Sequence, residues 1–208
     1  DLLDNTIIIY SSDHGLITGQ YGVGGKALLY DQAVKIPLII VDPRAAKGRK
    51  SDALVLTVDF APTMLAMAGI SAPDIMQGKN LRTLIENPNL DWRDEILIES
   101  LTTAEDKTMS EALRTPKWKY IRYFARPECP YQESDLIFLK SSTVFEQLFD
   151  LESDPNERSN LAVNEEYRDT LEDMRERISR RSRDLSDESQ RYKSLINLPK
   201  REVGRGCW

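Results

Sequence analysis

Two neighbouring polar residues, Asp13 and His14, follow an apolar run and have side chains suited to binding a metal ion. Aspartate offers a hard carboxylate oxygen to a divalent cation, and neutral histidine offers a ring nitrogen. The next residue, Gly15, has no side chain and lets other groups approach the backbone closely. Hard cations take about six ligands in total, so the pair predicts part of a metal site whose other ligands come from elsewhere.

The same two residues also have a purely local interpretation. Asp13 would cap a turn, and His14 would be a loop residue whose hydrogen bonds are satisfied nearby. Short motifs occur often by chance. Spacing alone therefore favours the local interpretation over the metal site.

The elements around this pair predict an α/β arrangement. Residues 6–10 are apolar without alternation, which is typical of a strand covered on both faces. Ligands gather at the carboxyl ends of strands in open α/β sheets, and Asp13 lies at such an end. A glycine-rich loop follows, then a predicted helix at 26–34, a second buried strand at 36–41, and a short helix at 59–68 that Asp59 can cap and Gly69 ends.

The second half of the chain has a different pattern of predicted secondary structure. Short strands predicted at 95–99, 111–114, 119–124 and 147–151 follow one another without long helices between them, which indicates an antiparallel sheet. Residues 165–185 carry apolar side chains at helical spacing and charges elsewhere, so one stripe of this helix packs on the sheet. We expect residues 1–92 to belong to an α/β domain and residues 93–208 to a smaller α+β subdomain.

Composition excludes several classes of function. The 208 residues are 40% hydrophobic and 30% charged, and the formal net charge is −6. This charge gives no general attraction for nucleic acid, so an anionic substrate needs local positive groups or a metal. No apolar run approaches the ~20 residues that cross a bilayer. Cys129 and Cys207 fit neither a zinc spacing nor a redox motif, and they leave open both a disulfide and two free thiols.

The order of several short motifs resembles the sulfatase family, within the alkaline phosphatase superfamily. The resemblance touches most of residues 4–162. Its pieces are Ser12-Asp13-His14-Gly15, Gly25-Lys26, Tyr30-Asp31, Lys35 with Pro37-Leu38-Ile39, Asp59-Phe60-Ala61-Pro62-Thr63, Gln147-Leu148-Phe149-Asp150-Leu151, Asp154-Pro155 and Asn160-Leu161.

The resemblance implies a fold and a set of site residues. The fold is the C-terminal part of a sulfatase-like α/β sandwich, followed by a small antiparallel α+β subdomain. Asp13 and His14 match two metal ligands, with His where many members have Asn. The metal is usually Ca²⁺, while Mn²⁺ or Mg²⁺ serves related phosphonate hydrolases. Lys26 matches the catalytic, substrate-binding lysine that contacts sulfate oxygens, whereas Tyr30, Asp31 and Lys35 are interpreted as structural.

The family's nucleophile is missing from these residues. Sulfatases attack with a formylglycine made from the first residue of a Cys/Ser-x-Pro-x-Arg motif, and the sequence has none. Cys129 precedes a proline but lacks the spacing and the arginine. The chain also opens directly before its first strand, without Met or a secretory leader. We therefore expect an upstream segment of the same protein to supply the nucleophile and the remaining metal ligands.

Three interpretations of function remain open. The first is a sulfatase that acts on a sulfated small molecule or glycan, in a periplasmic or secreted setting by analogy with its family. The second is a phosphonate or phosphate ester hydrolase of the same superfamily. The third is a catalytically silent fragment or degenerate member that serves as a scaffold or binding module. The sequence alone does not choose the ester, the metal or the oligomeric state.

Overall fold

The computed structural model describes residues 2–45, 48–87, 89–100, 109–124 and 142–196, with side chains up to residue 185. Cys129 and Cys207, and with them the question of a disulfide, lie outside these residues. The chain divides into two compact units. The first comprises Asp1–Gly15 and Lys35–Asp94, and the second comprises Leu16–Val34 and Glu95–Trp208. The domain boundary expected at residues 92 and 93 stays a prediction.

The first unit contains a two-stranded antiparallel ribbon and two helices. Strands β1 (Ile8–Ser11) and β4 (Leu38–Val41) pair along their whole length. Helices α2 (Phe60–Met67) and α3 (Leu81–Glu86) pack near each other. Gly69 ends α2 with a positive φ of 75°, as expected for a glycine after a helix C-terminus.

One face of the β1–β4 ribbon differs from the sequence expectation. Ile8 and Tyr10 pair across the ribbon with Val41 and Ile39, and directly opposed residues share a face. These four side chains are 43–61% exposed, whereas the pattern predicted strands covered on both faces. The prediction of double burial is wrong for the described residues, in which this face is exposed while Ile9 and Ile40 on the opposite face are half-buried.

Asp59 also differs from its expected role as a helix cap. Its carboxylate does not make the side-chain cap bond at the start of α2. It accepts hydrogen bonds from the backbone amides of Leu56 and Lys79, and it forms a two-contact ion pair with Arg93 at 2.6 and 2.7 Å. Asp59 is fully buried, and the four contacts satisfy it as a buried charge requires. It therefore joins three segments of the first unit.

The second unit is built on a four-stranded antiparallel sheet in the order β5-β6-β7-β8, which confirms the predicted antiparallel pairing. Its strands are β5 (Ile96–Ser100), β6 (Met109–Arg114), β7 (Trp118–Phe124) and β8 (Thr143–Asp150). The long helix α4 (Arg168–Ile196) packs on one face. Its buried residues Leu171, Met174 and Ile178 meet Leu113, Tyr120 and Leu148, and the predicted apolar stripe is confirmed at those three helix positions.

The other face of the sheet is covered by residues 16–34. This segment holds the short ribbon β2 (Ile17–Thr18) and β3 (Gly24–Gly25) and the single-turn helix α1 (Asp31–Val34). Ile17, Leu29 and Ala33 are buried among sheet residues such as Ile121 and Phe149. The helix predicted over 26–34 forms only at its end, because Leu28, Leu29 and Tyr30 pack onto the sheet instead of completing helical turns.

Candidate functional site

The loop after β1 places Asp13 and His14 side by side. Ser11, the last residue of β1, donates its hydroxyl to the Pro37 carbonyl at 2.8 Å and so ties the loop to the start of β4. Asp13 Oδ1 accepts the backbone amide of His14 at 2.9 Å, and Asp13 Oδ2 lies 3.3 Å from His14 Nε2. The Asp13 side chain is 85% exposed and that of His14 is 36% exposed. A carboxylate oxygen and a ring nitrogen therefore lie next to each other near the protein surface.

The second ring nitrogen of His14 defines which nitrogen can bind a ligand. His14 Nδ1 lies 2.7 Å from the Gly15 carbonyl oxygen. A carbonyl only accepts hydrogen bonds, so Nδ1 donates its proton to Gly15, and Nε2 is the ring nitrogen that faces Asp13 Oδ2. A backbone carbonyl is one of the partners that commonly orient a metal-binding histidine.

The pair does not form a complete metal site by itself. Within the described part of the chain, there is no group of three or more His, Cys, Asp or Glu residues that could hold a metal ion. A carboxylate and an imidazole are donor types that suit a cation, but the half-site stays a prediction whose other ligands would have to come from outside these residues.

Lys26 lies in the second unit, whereas Asp13 and His14 lie in the first. It follows the β2–β3 ribbon directly and is exposed. The preceding residue, Gly25, has a φ of 107°, which side chains other than hydrogen rarely tolerate. The backbone turns at Gly25, where the ribbon ends, and this turn determines the backbone position of Lys26.

Asp31, five residues after Lys26, belongs to a largely buried cluster of charged side chains that the sequence did not reveal. Lys119 Nζ lies 2.7 Å from Asp31 Oδ1 and 2.8 Å from Glu157 Oε1, and the side chains of Lys119 and Glu157 are 0% exposed. Arg114 lies 3.6 Å from the other Asp31 oxygen. Two carboxylates thus face two cations, as buried charges require.

The two acids of the cluster respond differently to their surroundings. Burial raises the pKa of Glu157 above its ordinary value, and Lys119 offsets only part of this effect. Burial acts in the same direction on Asp31, but Lys119 and then Arg114 outweigh it and hold the pKa of Asp31 below its ordinary value. Asp31 is therefore the carboxylate that the cluster keeps ionised most firmly.

Comparison with known proteins identifies the family. Residues 19–184 match the family model described as N-sulphoglucosamine sulphohydrolase, C-terminal. The chain belongs to the sulfatase family. It is 28% identical over 200 residues to the N-acetylglucosamine-6-O-sulfatase of Bacteroides thetaiotaomicron, covering 93% of this chain and 33% of that enzyme. It is 34% identical over 177 residues to an arylsulfatase of Clostridium perfringens, covering 83% of this chain and 33% of that enzyme.

A solved protein structure shows the same fold. A protein whose structure was solved in complex with its substrate D-glucosamine-2-N,6-O-disulfate matches with a TM-score of 0.74 and 28% identity, over 88% of this chain and 35% of that one. The expected sulfatase-like fold is thereby confirmed. This sulfatase chain spans about a third of the length of the relatives it matches.

Proposed function

We propose that this sulfatase chain is the C-terminal portion of an enzyme that hydrolyses sulfate esters. The observation that carries the proposal is the convergence of Asp13 Oδ2 and His14 Nε2, 3.3 Å apart at the end of β1, in a chain of this family. The proposed activity belongs to the whole protein. An upstream region would supply the formylglycine nucleophile and the remaining metal ligands.

The donor separation suits a shared cation. Two ligands that bind a hard cation at about 2.0–2.6 Å and at right angles to each other lie roughly 2.8–3.7 Å apart, and the Asp13–His14 separation of 3.3 Å falls within this range. Ca²⁺ is the proposed metal, with Mn²⁺ or Mg²⁺ as alternatives because one donor is nitrogen. A bound cation would supply positive charge and Lewis acidity to the reacting ester.

Lys26 is proposed to bind the sulfuryl group of the substrate. Its ammonium would pair with the sulfuryl oxygens and offset the negative charge that grows on them as the ester bond breaks. The exposed position after Gly25 leaves the side chain reachable by a ligand from solvent. The net charge of −6 makes such local positive groups necessary for holding an anion.

A sulfated sugar is the proposed substrate class. One relative is named for action on N-acetylglucosamine 6-O-sulfate, and one solved structure holds a disulfated glucosamine as its substrate. We also propose a periplasmic or secreted location, in keeping with the exported sulfatases that the motifs resemble. Among the described residues, no helix is long and apolar enough to cross a membrane.

The proposed upstream segment is further supported by the β1–β4 ribbon. Its exposed face carries Ile8, Tyr10, Ile39 and Val41, and contiguous apolar patches on stable proteins mark interaction surfaces. We propose that this face packs against another part of the same sulfatase.

Turnover assays on the intact protein test the proposed reaction. We expect hydrolysis of an aryl sulfate and of glucosamine 6-sulfate, loss of both with a chelator, and recovery with Ca²⁺. A faster reaction with an aryl phosphonate than with any sulfate would replace the proposal with the phosphonate hydrolase alternative. Folded protein that turns over none of these esters would favour the scaffold alternative.

A further inference from the structure

The structure ties the segment that carries Lys26 at two points to one turn of the second unit. Tyr21 lies five residues before Lys26, and Asp31 lies five residues after it. The Tyr21 hydroxyl lies 2.7 Å from the Asn156 carbonyl oxygen. The Asp31 backbone amide donates to Glu157 Oε2 at 2.6 Å. Two consecutive residues, Asn156 and Glu157, thus contact both ends of residues 21–31, which we call the Lys26 loop.

The turn that makes these contacts is itself held firmly. The Asp154 carboxylate accepts the backbone amides of Arg158 and Ser159 at 2.6 and 2.8 Å, and the Glu157 amide donates to the Asp154 carbonyl at 3.1 Å. Glu157 has a φ of 52°, an uncommon conformation for a residue with a side chain. Non-glycine residues in this region persist where their surroundings determine them strongly.

The two carboxylate oxygens of Glu157 contact different elements, one the Lys26 loop and the other the sheet. Oε2 accepts from the Asp31 amide, while Oε1 lies 2.8 Å from the buried ammonium of Lys119 on β7. Lys119 also contacts the Asp31 carboxylate at 2.7 Å. The backbone five residues after Lys26 is therefore fixed to the sheet through a charge network in which the Lys119 and Glu157 side chains are fully buried. Movement would separate these opposite charges in a medium of low polarity.

The other end of the loop has a second set of contacts. The Tyr21 ring stacks on Tyr30, with ring centroids 4.5 Å apart, and its hydroxyl lies 2.7 Å from Gln32 Oε1. Burial and then the nearby Glu157 carboxylate raise the pKa of Tyr21, which keeps the hydroxyl protonated as a hydrogen-bond donor. The ring stacking therefore joins the two ends of the loop to each other, and the single hydroxyl proton can be donated either to Gln32 Oε1 or to the Asn156 carbonyl.

We infer that Glu157, with Tyr21 and Lys119, positions Lys26 for contact with the substrate. The inference rests on the proposed role of Lys26 in binding the sulfuryl group. None of the three needs to touch the substrate, so they are positioning residues. Rigid placement of a charged side chain matters because a displacement of about 1 Å can cost roughly a hundredfold in rate.

A double-mutant cycle on the intact protein tests the inference. We expect Glu157→Gln to lower kcat/KM for an aryl sulfate by about tenfold or more, and Tyr21→Phe to lower it by a smaller factor. In a Lys26→Ala background, each change is expected to alter kcat/KM less than about twofold, because the group they position is gone. Equal losses in both backgrounds would overturn the inference.

Two matched variants separate positioning from general stability. Glu146→Gln and Tyr120→Phe make the same chemical changes in the same unit, on strands β8 and β7, where Glu146 pairs with Arg175 and accepts from Tyr120. These residues lie on the sheet face that α4 covers, away from the Lys26 loop. These controls are expected to lower Tm while leaving kcat/KM within about twofold for the folded protein. A loss as large as that of Glu157→Gln would also overturn the inference.

Amide hydrogen exchange tests the loop without any activity. In the intact protein, Glu157→Gln and Tyr21→Phe are expected to accelerate exchange in residues 19–30, and Glu146→Gln is not. Unchanged exchange in Glu157→Gln and Tyr21→Phe would refute the positioning role even if sulfate esters are hydrolysed. Accelerated exchange in a protein that hydrolyses no sulfate ester would instead refute the proposed function alone.

Discussion

At the scale of single residues, the structure adds geometry to the Asp13–His14 pair, which the sequence only weakly indicated as a site. The sequence offered two donor types in succession, and the structure adds that the Nε2 atom faces Asp13 Oδ2 at a separation of 3.3 Å. Both additions depend on the Gly15 carbonyl and on the loop path after Ser11. No pattern of residue types encodes them.

Removal of one donor gives the first prediction. In the intact protein, Asp13→Asn is expected to weaken metal binding by at least about tenfold and to lower turnover by a similar factor, since a charged ligand becomes neutral. Isothermal titration with Ca²⁺ and sulfate ester assays measure the two effects. Asp4→Asn, a change of another exposed aspartate in the first unit, should alter neither.

The 208-residue chain alone gives a second prediction about the same pair. Two ligands leave most of a cation's coordination to water, so Ca²⁺ binding by this chain is expected to be weak, with no saturation at micromolar concentrations. Isothermal titration tests this directly. Submicromolar Ca²⁺ binding that Asp13→Ala abolishes would contradict the prediction that this chain holds only part of a metal site.

Glu146 gives a prediction about pH. Burial alone would raise the pKa of Glu146, but the two-contact pair with Arg175 and the Tyr120 hydroxyl outweigh it and hold the pKa below its ordinary value of 4.5. A carboxyl whose pKa is lower in the folded state stabilises the protein above its unfolded pKa and loses that contribution as pH falls through the folded value. The contribution should therefore begin to fall as the pH drops below about 4.5 and be lost once the pH is below the folded pKa of Glu146.

The matched variant makes this measurable. Glu146→Gln is expected to cost about 1–2 kcal/mol at pH 7, between a surface pair and a fully buried one, and much less at pH 3. Urea unfolding of both proteins at the two pH values gives the difference. An equal cost at both values would show that the charge of Glu146 contributes no stability.

At the scale of elements, the sequence predicted those parts whose patterns are local. The strands of the β5–β8 sheet and the stripe of α4 follow from short-range alternation and helical spacing. The cover formed by residues 16–34 does not, because Asp31 meets Lys119 across 88 positions of sequence. One signal was available: Lys119 alternates with Ile121 and Tyr123 and therefore lies on a buried face, where a charge needs a partner.

The exposed face of the β1–β4 ribbon gives the prediction for this scale. Tyr10→Thr with Ile39→Thr is expected to reduce aggregation of the 208-residue chain, because the substitutions remove exposed apolar surface. The same pair should destabilise the intact protein, in which we propose that the face is covered. Light scattering and thermal unfolding measure the two effects. Val163→Thr, at a residue 84% exposed in the second unit, serves as the control and should leave the intact protein's Tm unchanged.

At the scale of the whole chain, the second unit is discontinuous in sequence. Residues 16–34 bury Ile17, Leu29 and Ala33 on one sheet face, while α4 buries its stripe on the other. A sheet whose strands are apolar on both faces needs both covers to remove that surface from water. Because residues 16–34 cover one face of the sheet, a stable fragment of the second unit has to include them.

Fragments that start at different residues give the last prediction. A fragment of residues 93–208 lacks one cover and leaves Ala112, Ile121 and Phe149, each at most 1% exposed in the whole chain, facing solvent. We expect it to unfold without a sharp transition and to bind a hydrophobic dye, whereas residues 16–208 should unfold cooperatively. The buried pair between Lys119 and Asp31 makes the difference larger, since the short fragment leaves Lys119 with Glu157 alone. A cooperative transition of equal midpoint in both fragments would support the boundary at residues 92 and 93 and would argue against a structural need for residues 16–34.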